Sequence, residues 1–180
     1  MAMAEPWQTA EIPGPTKALV ITKPEVVAAM IKKAKRPILI VGHEAAEIKL
    51  GDQKPIDYAI LIAKAARAQV VATAHIVKEF LERGFQSSMS MSAVDIANRL
   101  GDSEWKGLDG KGPYDLVLFI GIPYSMEWNI LSGLKHFAPH LRIICLDRFY
   151  QPHASWSFPN LSLEEWRKNL KVILDELEAE

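Results

Sequence analysis

Cysteine is nearly missing from this chain of 180 residues: Cys145 stands alone. One thiol closes no internal disulfide, so nothing points to an oxidising compartment. It cannot supply the thiolates that hold an iron–sulfur cluster, nor a zinc site built from four cysteines or from two cysteines and two histidines. An excess of either charge is missing too, with 21 Lys and Arg against 22 Asp and Glu and a net charge of −1. That balance excludes the electrostatic footprint of a nucleic-acid binder and argues against a polybasic membrane-surface role. No apolar run approaches the ~20 residues needed to cross a bilayer. Ala18–Ile21, Ile38–Val41 and Leu116–Ile120 are strand-sized. The first eleven residues lack the basic-then-apolar order of a signal peptide, so the chain is read as soluble and cytoplasmic.

Catalytic motifs are absent as well. There is no G-x-G-x-x-G, no G-x-x-x-x-G-K-[ST] and no G-x-S-x-G. No carboxylates pair within a hydrophobic run. The five His residues make no metal signature. His136 and His140 are four apart, but Pro139 breaks the helix that would align them. No catalytic residue and no metal ligand is therefore named.

What is present is an ordinary globular composition, 49% hydrophobic and 24% charged. A chain of this length buries roughly 70% of its unfolded surface and needs no staple. Residues 1–17, with Pro6, Pro13, Gly14 and Pro15, read as an extended arm before a single domain over 18–180. Trp7 in that arm is an anchor, for the chain's own core or for a partner.

Four apolar runs read as parallel strands: Ile38–Gly42, Gln69–Thr73, Asp115–Gly121 and Leu141–Asp147. A fifth is expected in Ala18–Ile21 or Ala154–Phe158. Thr22-Lys23-Pro24-Glu25 has the spacing of a capping box and opens a helix that Pro37 stops. Helices follow over Pro55–Arg67, His75–Arg83, Ser92–Gly101 and Glu127–Phe137. Ser162-Leu163-Glu164-Glu165, a second capping box, opens the last helix, with Trp166, Leu170, Ile173 and Leu174 on one face. The serines from Ser87 to Ser92 read as a flexible loop or lid. Strands alternating with amphipathic helices give a three-layer, doubly wound, mostly parallel α/β sheet of Rossmann-like type.

In such sheets the ligand crevice lies at the carboxyl ends of the strands. That edge carries Gly42 and His43, Thr73 and His75, Gly121, Ile122 and Pro123, and Asp147 and Arg148. The glycines allow close backbone approach, and the following helices offer amides to an anion, so the edge has room for a nucleotide or flavin such as FAD, although every open α/β fold has such an edge, filled or not. Cys145 lies within a strand and reads as small, buried and inert. The segment from Arg148 to Pro159 holds Phe149, Tyr150, Trp156 and Phe158. It reads either as a loop packed back over the sheet or, with Trp7, as an aromatic surface for another protein. Chains with such a surface exposed often self-associate, so the sequence leaves both a monomer and a homo-oligomer open for the isolated chain.

Several segments together resemble a known family. They are Pro6-Trp7-Gln8-Thr9-Ala10-Glu11-Ile12-Pro13-Gly14, Arg36-Pro37-Ile38-Leu39-Ile40-Val41-Gly42, Gly112-Pro113-Tyr114-Asp115-Leu116-Val117, Phe119-Ile120-Gly121-Ile122-Pro123-Tyr124, Phe137-Ala138-Pro139-His140-Leu141-Arg142, Asp147-Arg148-Phe149-Tyr150-Gln151-Pro152 and Trp156-Ser157-Phe158-Pro159-Asn160. In this order, over nearly the whole chain, they resemble the epsilon subunit of archaeal acetyl-CoA decarbonylase/synthase complexes. The resemblance implies an accessory subunit that joins the nickel–iron–sulfur alpha subunit to make the carbon monoxide dehydrogenase component. It implies stabilisation of alpha or help in electron transfer, with FAD the cofactor in the second case. It also implies the NAD/FAD-binding fold of the deoxyhypusine synthase-like class. The family brings no catalytic residues to carry over. Apart from it, the residues also allow a small flavin- or dinucleotide-binding electron-transfer protein using the strand edge.

Overall fold

A computed structural model of the chain describes residues 16–73 and 75–179; Trp7 and the arm through Pro15 lie outside them. In chain order the elements are β1 (Leu19–Val20), α1 (Glu25–Lys33), β2 (Pro37–Val41), α2 (Glu44–Glu47), α3 (Pro55–Ala66), β3 (Gln69–Ala72), α4 (Val77–Glu82), β4 (Met89–Ser90), α5 (Ala93–Gly101), β5 (Leu116–Ile120), α6 (Tyr124–Phe137), β6 (Arg142–Cys145), β7 (Trp156–Ser157) and α7 (Leu163–Glu178).

The strands form one sheet in the order β1-β7-β6-β5-β2-β3-β4, and every pairing is parallel. The chain runs outward from β2 through β3 to β4, then returns to β5 on the other side of β2 and runs out through β6 to β7. The winding therefore reverses between β2 and β5, the place where open α/β sheets leave a crevice.

Alternation along the strands divides the core in two. Leu39, Val41, Leu118, Ile120 and Ile144 pack against residues of α1, α3 and α7 on one face. Ile38, Ile40, Val117, Phe119, Ile143 and Cys145 pack against α5 and α6 on the other. Because helices cover both faces, β2 and β5 are buried at every position. Burying each such Ile or Leu side chain contributes ~1.5–3 kcal/mol before chain entropy is counted. At α7, Ser162 Oγ accepts from the Glu165 amide and the Glu165 carboxylate accepts from the Ser162 amide, as its sequence predicts. The helix then buries Trp166, whose Nε1 donates to the Leu146 carbonyl at 2.7 Å.

Four expectations need correction. Both candidates for a fifth strand are strands, and they pair with each other as β1 and β7. The serine-rich segment is no free loop: Met89–Ser90 forms the edge strand β4, the Ser88 amide donates to the Val70 carbonyl, and Ser92 caps α5. Thr22 caps nothing. Helix α1 enters through Pro24 in a tight turn whose carbonyls, Lys23 and Pro24, already accept from the Val26 and Val27 amides. Helix α6 starts a turn earlier than its apolar spacing suggests, directly after Pro123.

The aromatic segment is also resolved. Phe158 is fully buried and Tyr150 nearly so, with the Tyr150 hydroxyl donating to the Ala18 carbonyl at 2.6 Å. Trp156 is half-buried in β7, and only Phe149 is exposed. Tyr150 and Phe158 thus belong to the core and present no surface to a partner. Two backbone-directed bonds pin the segment: the Leu161 amide to the Arg148 carbonyl and the Tyr150 amide to Asn160.

Candidate functional site

The glycines at the winding reversal meet each other. A Cβ added at Gly42 would lie 2.1 Å from the Gly121 carbonyl oxygen. One added at Gly121, whose φ is +76°, would lie 2.5 Å from both the Cβ and the amide nitrogen of Ala45. The close approach that these glycines permit is made by the chain itself. The amides nearby are occupied in the same way: Glu44 donates to the Gly121 carbonyl, Ala45 to Gly42, and Gly42 to Ile120.

The remaining candidates fall on two sides of Ile122. On one side His43, Thr73, His75, Ile122 and Pro123 line a cavity of about 270 Å³, closed by Ser92 and Met126. The N-terminal ends of α5 and α6 both reach it. The amide of Asp95 in α5 already donates to Ser92 Oγ, while α6 has no side-chain cap. On the other side Asp147, Arg148 and Ile122 share a cavity of about 40 Å³ with Glu44, Glu127, Phe149 and Trp166. The Arg148 guanidinium donates to the Leu161 carbonyl and lies 4.1 Å from the centre of the Phe149 ring.

Beside the second cavity lies a cluster that the sequence did not announce. Asp147 accepts from the Gly121 amide through both oxygens at 2.9 Å. Burial pushes its carboxyl up to about 7; the amides of Gly121 and Ile122 pull the other way, and the charge of Glu44 adds to the rise. Glu127, 1% exposed, is held far above the ordinary carboxylate range by burial and then by the charge of Asp147. The Cys145 thiol, fully buried, is raised by burial and by Glu127. A free thiol shifted in this way is a poor nucleophile. Gln151 Nε2 bridges the Glu127 carboxylate and the Tyr124 carbonyl, each at 3.0 Å.

Sequence reasoning sought carboxylates paired within one run and found none. Glu127 and Asp147 meet only through the fold. The first turn of the helix after β5 lies over the end of the neighbouring strand β6, and a polar residue at each place is the signal that could have found them.

The comparisons with known proteins fit this architecture. Residues 1–174 match the family described as CO dehydrogenase beta subunit/acetyl-CoA synthase epsilon subunit. The chain belongs to that family. It is 37% identical over 171 residues to the acetyl-CoA decarbonylase/synthase complex subunit epsilon of Methanothermobacter thermautotrophicus, covering 95% of each chain. It is 39% identical over 158 residues to that of Methanothrix soehngenii, covering 87% of this chain and 81% of the relative. It is 40% identical over 159 residues to the subunit epsilon 1 of Archaeoglobus fulgidus, covering 86% and 83%. Among the described residues no helix is long and apolar enough to cross a membrane.

Proposed function

We propose that this chain is an accessory subunit of an acetyl-CoA decarbonylase/synthase complex, binding the alpha subunit of the carbon monoxide dehydrogenase component and stabilising it. The observation that carries this reading is the near full-length likeness to relatives named as epsilon subunits of that complex. Two physical features support it. A single, deeply buried cysteine leaves iron–sulfur chemistry to another chain. A groove of about 500 Å³ between α5 and α6, lined by Val94, Ala97, Ile130, Leu134 and Phe137, offers apolar surface to a partner subunit. Phe137 is 77% exposed and Val94 52%, more than a monomer needs to leave uncovered in one place.

The test is co-expression with the alpha subunit, followed by size-exclusion chromatography. The two chains should elute together, and Phe137→Asp should weaken the complex at least about tenfold while the far-ultraviolet dichroism stays unchanged. Separate elution of the wild-type chains would end this reading.

A second reading, a flavin or other dinucleotide at the strand edge, draws on the winding reversal and the uncapped start of α6. The cavity of about 270 Å³ falls below the ~300–1,000 Å³ of sites for such ligands. No buried polar atom of its lining lacks a partner. The described residues fit part of a dinucleotide and not a whole FAD, so no step is derived through one. Titration with FAD, followed in the visible spectrum, tests it: a saturable shift supports this reading, and an unperturbed spectrum of free flavin removes it.

A further inference from the structure

We propose that Glu127, Cys145 and Asp147 form a site for one divalent cation of the zinc class, at the carboxyl end of β6. One donor atom from each residue lies within 4.8 Å of the others. Cys145 and Asp147 are two apart where the chain leaves β6, a spacing that sends both side chains to one face of an extended chain. That face is covered by α6, whose first turn supplies Glu127. A zinc ion with Zn–S near ~2.3 Å and Zn–O near ~2.1 Å sets tetrahedral ligands about 3.5 Å apart, so the three groups need to close by ~1 Å. One thiolate with carboxylates is a donor set for a borderline ion rather than for Mg2+ or Ca2+.

The second observation is independent of the clustering. Glu127 Oε1 is fully enclosed and accepts from no N–H or O–H, while Oε2 of the same carboxylate is held by Gln151; the Cys145 thiol is the remaining polar group that interacts with this carboxylate. Gln151 itself is completely buried, and its own Oε1 is without a partner. Buried acceptors left unpaired are costly, and a bound ion or water is the usual reason they persist. No cation of the protein answers them: among the described residues no ion pair involves Glu44, Glu127 or Asp147. The cavity beside them, about 40 Å³, holds one ion with at most one water, given the ~30 Å³ share of a liquid water. A fourth ligand would come from that water or from Glu44, which lines the same cavity. The Gln151 bond to Oε2 holds the carboxylate in place, the outer-sphere support that metal-binding groups ordinarily have. Binding releases the protons held by Cys145 and Glu127, and the cation neutralises the charge they leave.

The experiment uses the full chain stripped with a chelator and titrated with Co2+, then with competing Zn2+. The expected result is saturation at one equivalent, with a thiolate-to-cobalt charge-transfer band in the near ultraviolet that Zn2+ abolishes. Cys145→Ser should remove that band. Gln151→Ala, which keeps all three ligands, should weaken binding ~10–100-fold. Glu127→Gln should abolish saturable binding, and its dichroism reports whether the fold is intact. Zn2+ should raise the midpoint of thermal unfolding of the wild type and not of folded Glu127→Gln. A wild-type chain with no charge-transfer band and no Zn2+-dependent midpoint would overturn the proposal, leaving a cluster held together by its own protons. Binding that survives in both Cys145→Ser and Glu127→Gln would overturn it equally.

Discussion

Replacing Gly121 with Ala tests the packing on which both cavities depend. The new methyl would sit 2.5 Å from the Cβ and the amide nitrogen of Ala45 and 2.8 Å from the Gly42 carbonyl oxygen. Two of these are backbone atoms, so no flexible side chain can turn aside. The residue also keeps a φ of +76°, which costs an L-residue ~1–2 kcal/mol. Overpacking adds ~1–3 kcal/mol, for a total of ~2–5 kcal/mol out of the ~5–15 kcal/mol by which domains are stable. Gly42→Ala has no left-handed strain but meets the Gly121 carbonyl at 2.1 Å, so its loss rests on overpacking alone. For a chain of this length ~2–5 kcal/mol lowers the unfolding midpoint by about 5–15 °C. Urea unfolding followed by circular dichroism measures it, and the slope should stay constant while the midpoint falls. If either variant were within about 0.5 kcal/mol of the wild type, the view that these glycines serve each other would be refuted. A flavin would then regain its claim on the space between them.

Three further predictions use the same unfolding assay. Ser162→Ala removes the cap of α7 and should cost about 1 kcal/mol; an unchanged midpoint would mean that packing of Trp166 and Leu170 alone fixes the helix start. Trp166→Phe leaves the buried Leu146 carbonyl without its donor and should cost ~1–3 kcal/mol, a loss that Trp166→Leu should exceed. Arg83→Ala removes contacts to Asp57 at 2.6 Å and Glu79 at 2.8 Å near the surface, and should cost no more than ~1 kcal/mol, with the difference shrinking in high salt.

The fold was legible where one physical signal dominates. Ile38–Val41 and Leu116–Ile120 are uninterrupted apolar runs because helices cover both faces of the sheet, and that alone marks a central parallel strand. Ser162 and Glu165 satisfy each other locally, so their capping box survives in the structure. Thr22 and Glu25 have the same spacing, yet the rigid turn at Pro24 places the helix start beyond the reach of Thr22. Strands of two residues, such as Met89–Ser90 and Trp156–Ser157, are too short to leave a period and exist through their neighbours. The candidate site was half legible. A parallel sheet must bring His43, Thr73, His75 and Pro123 to one edge, and they line one cavity. Nothing local says that Gly42 and Gly121 touch, or that Glu127 turns inward to Asp147. The first contact comes from the pairing of β2 with β5, whose ends lie far apart in the chain; the second comes from the first turn of α6 lying over the end of β6, between residues about twenty apart.

The central claim is that this chain works as a subunit of a larger complex. Native mass spectrometry of the chain mixed with the alpha subunit addresses it directly. The account predicts a discrete species containing both chains in a fixed ratio, dissociated in part by Phe137→Asp. Two separate species over the whole range of concentrations, from chains each shown to be folded, would contradict it.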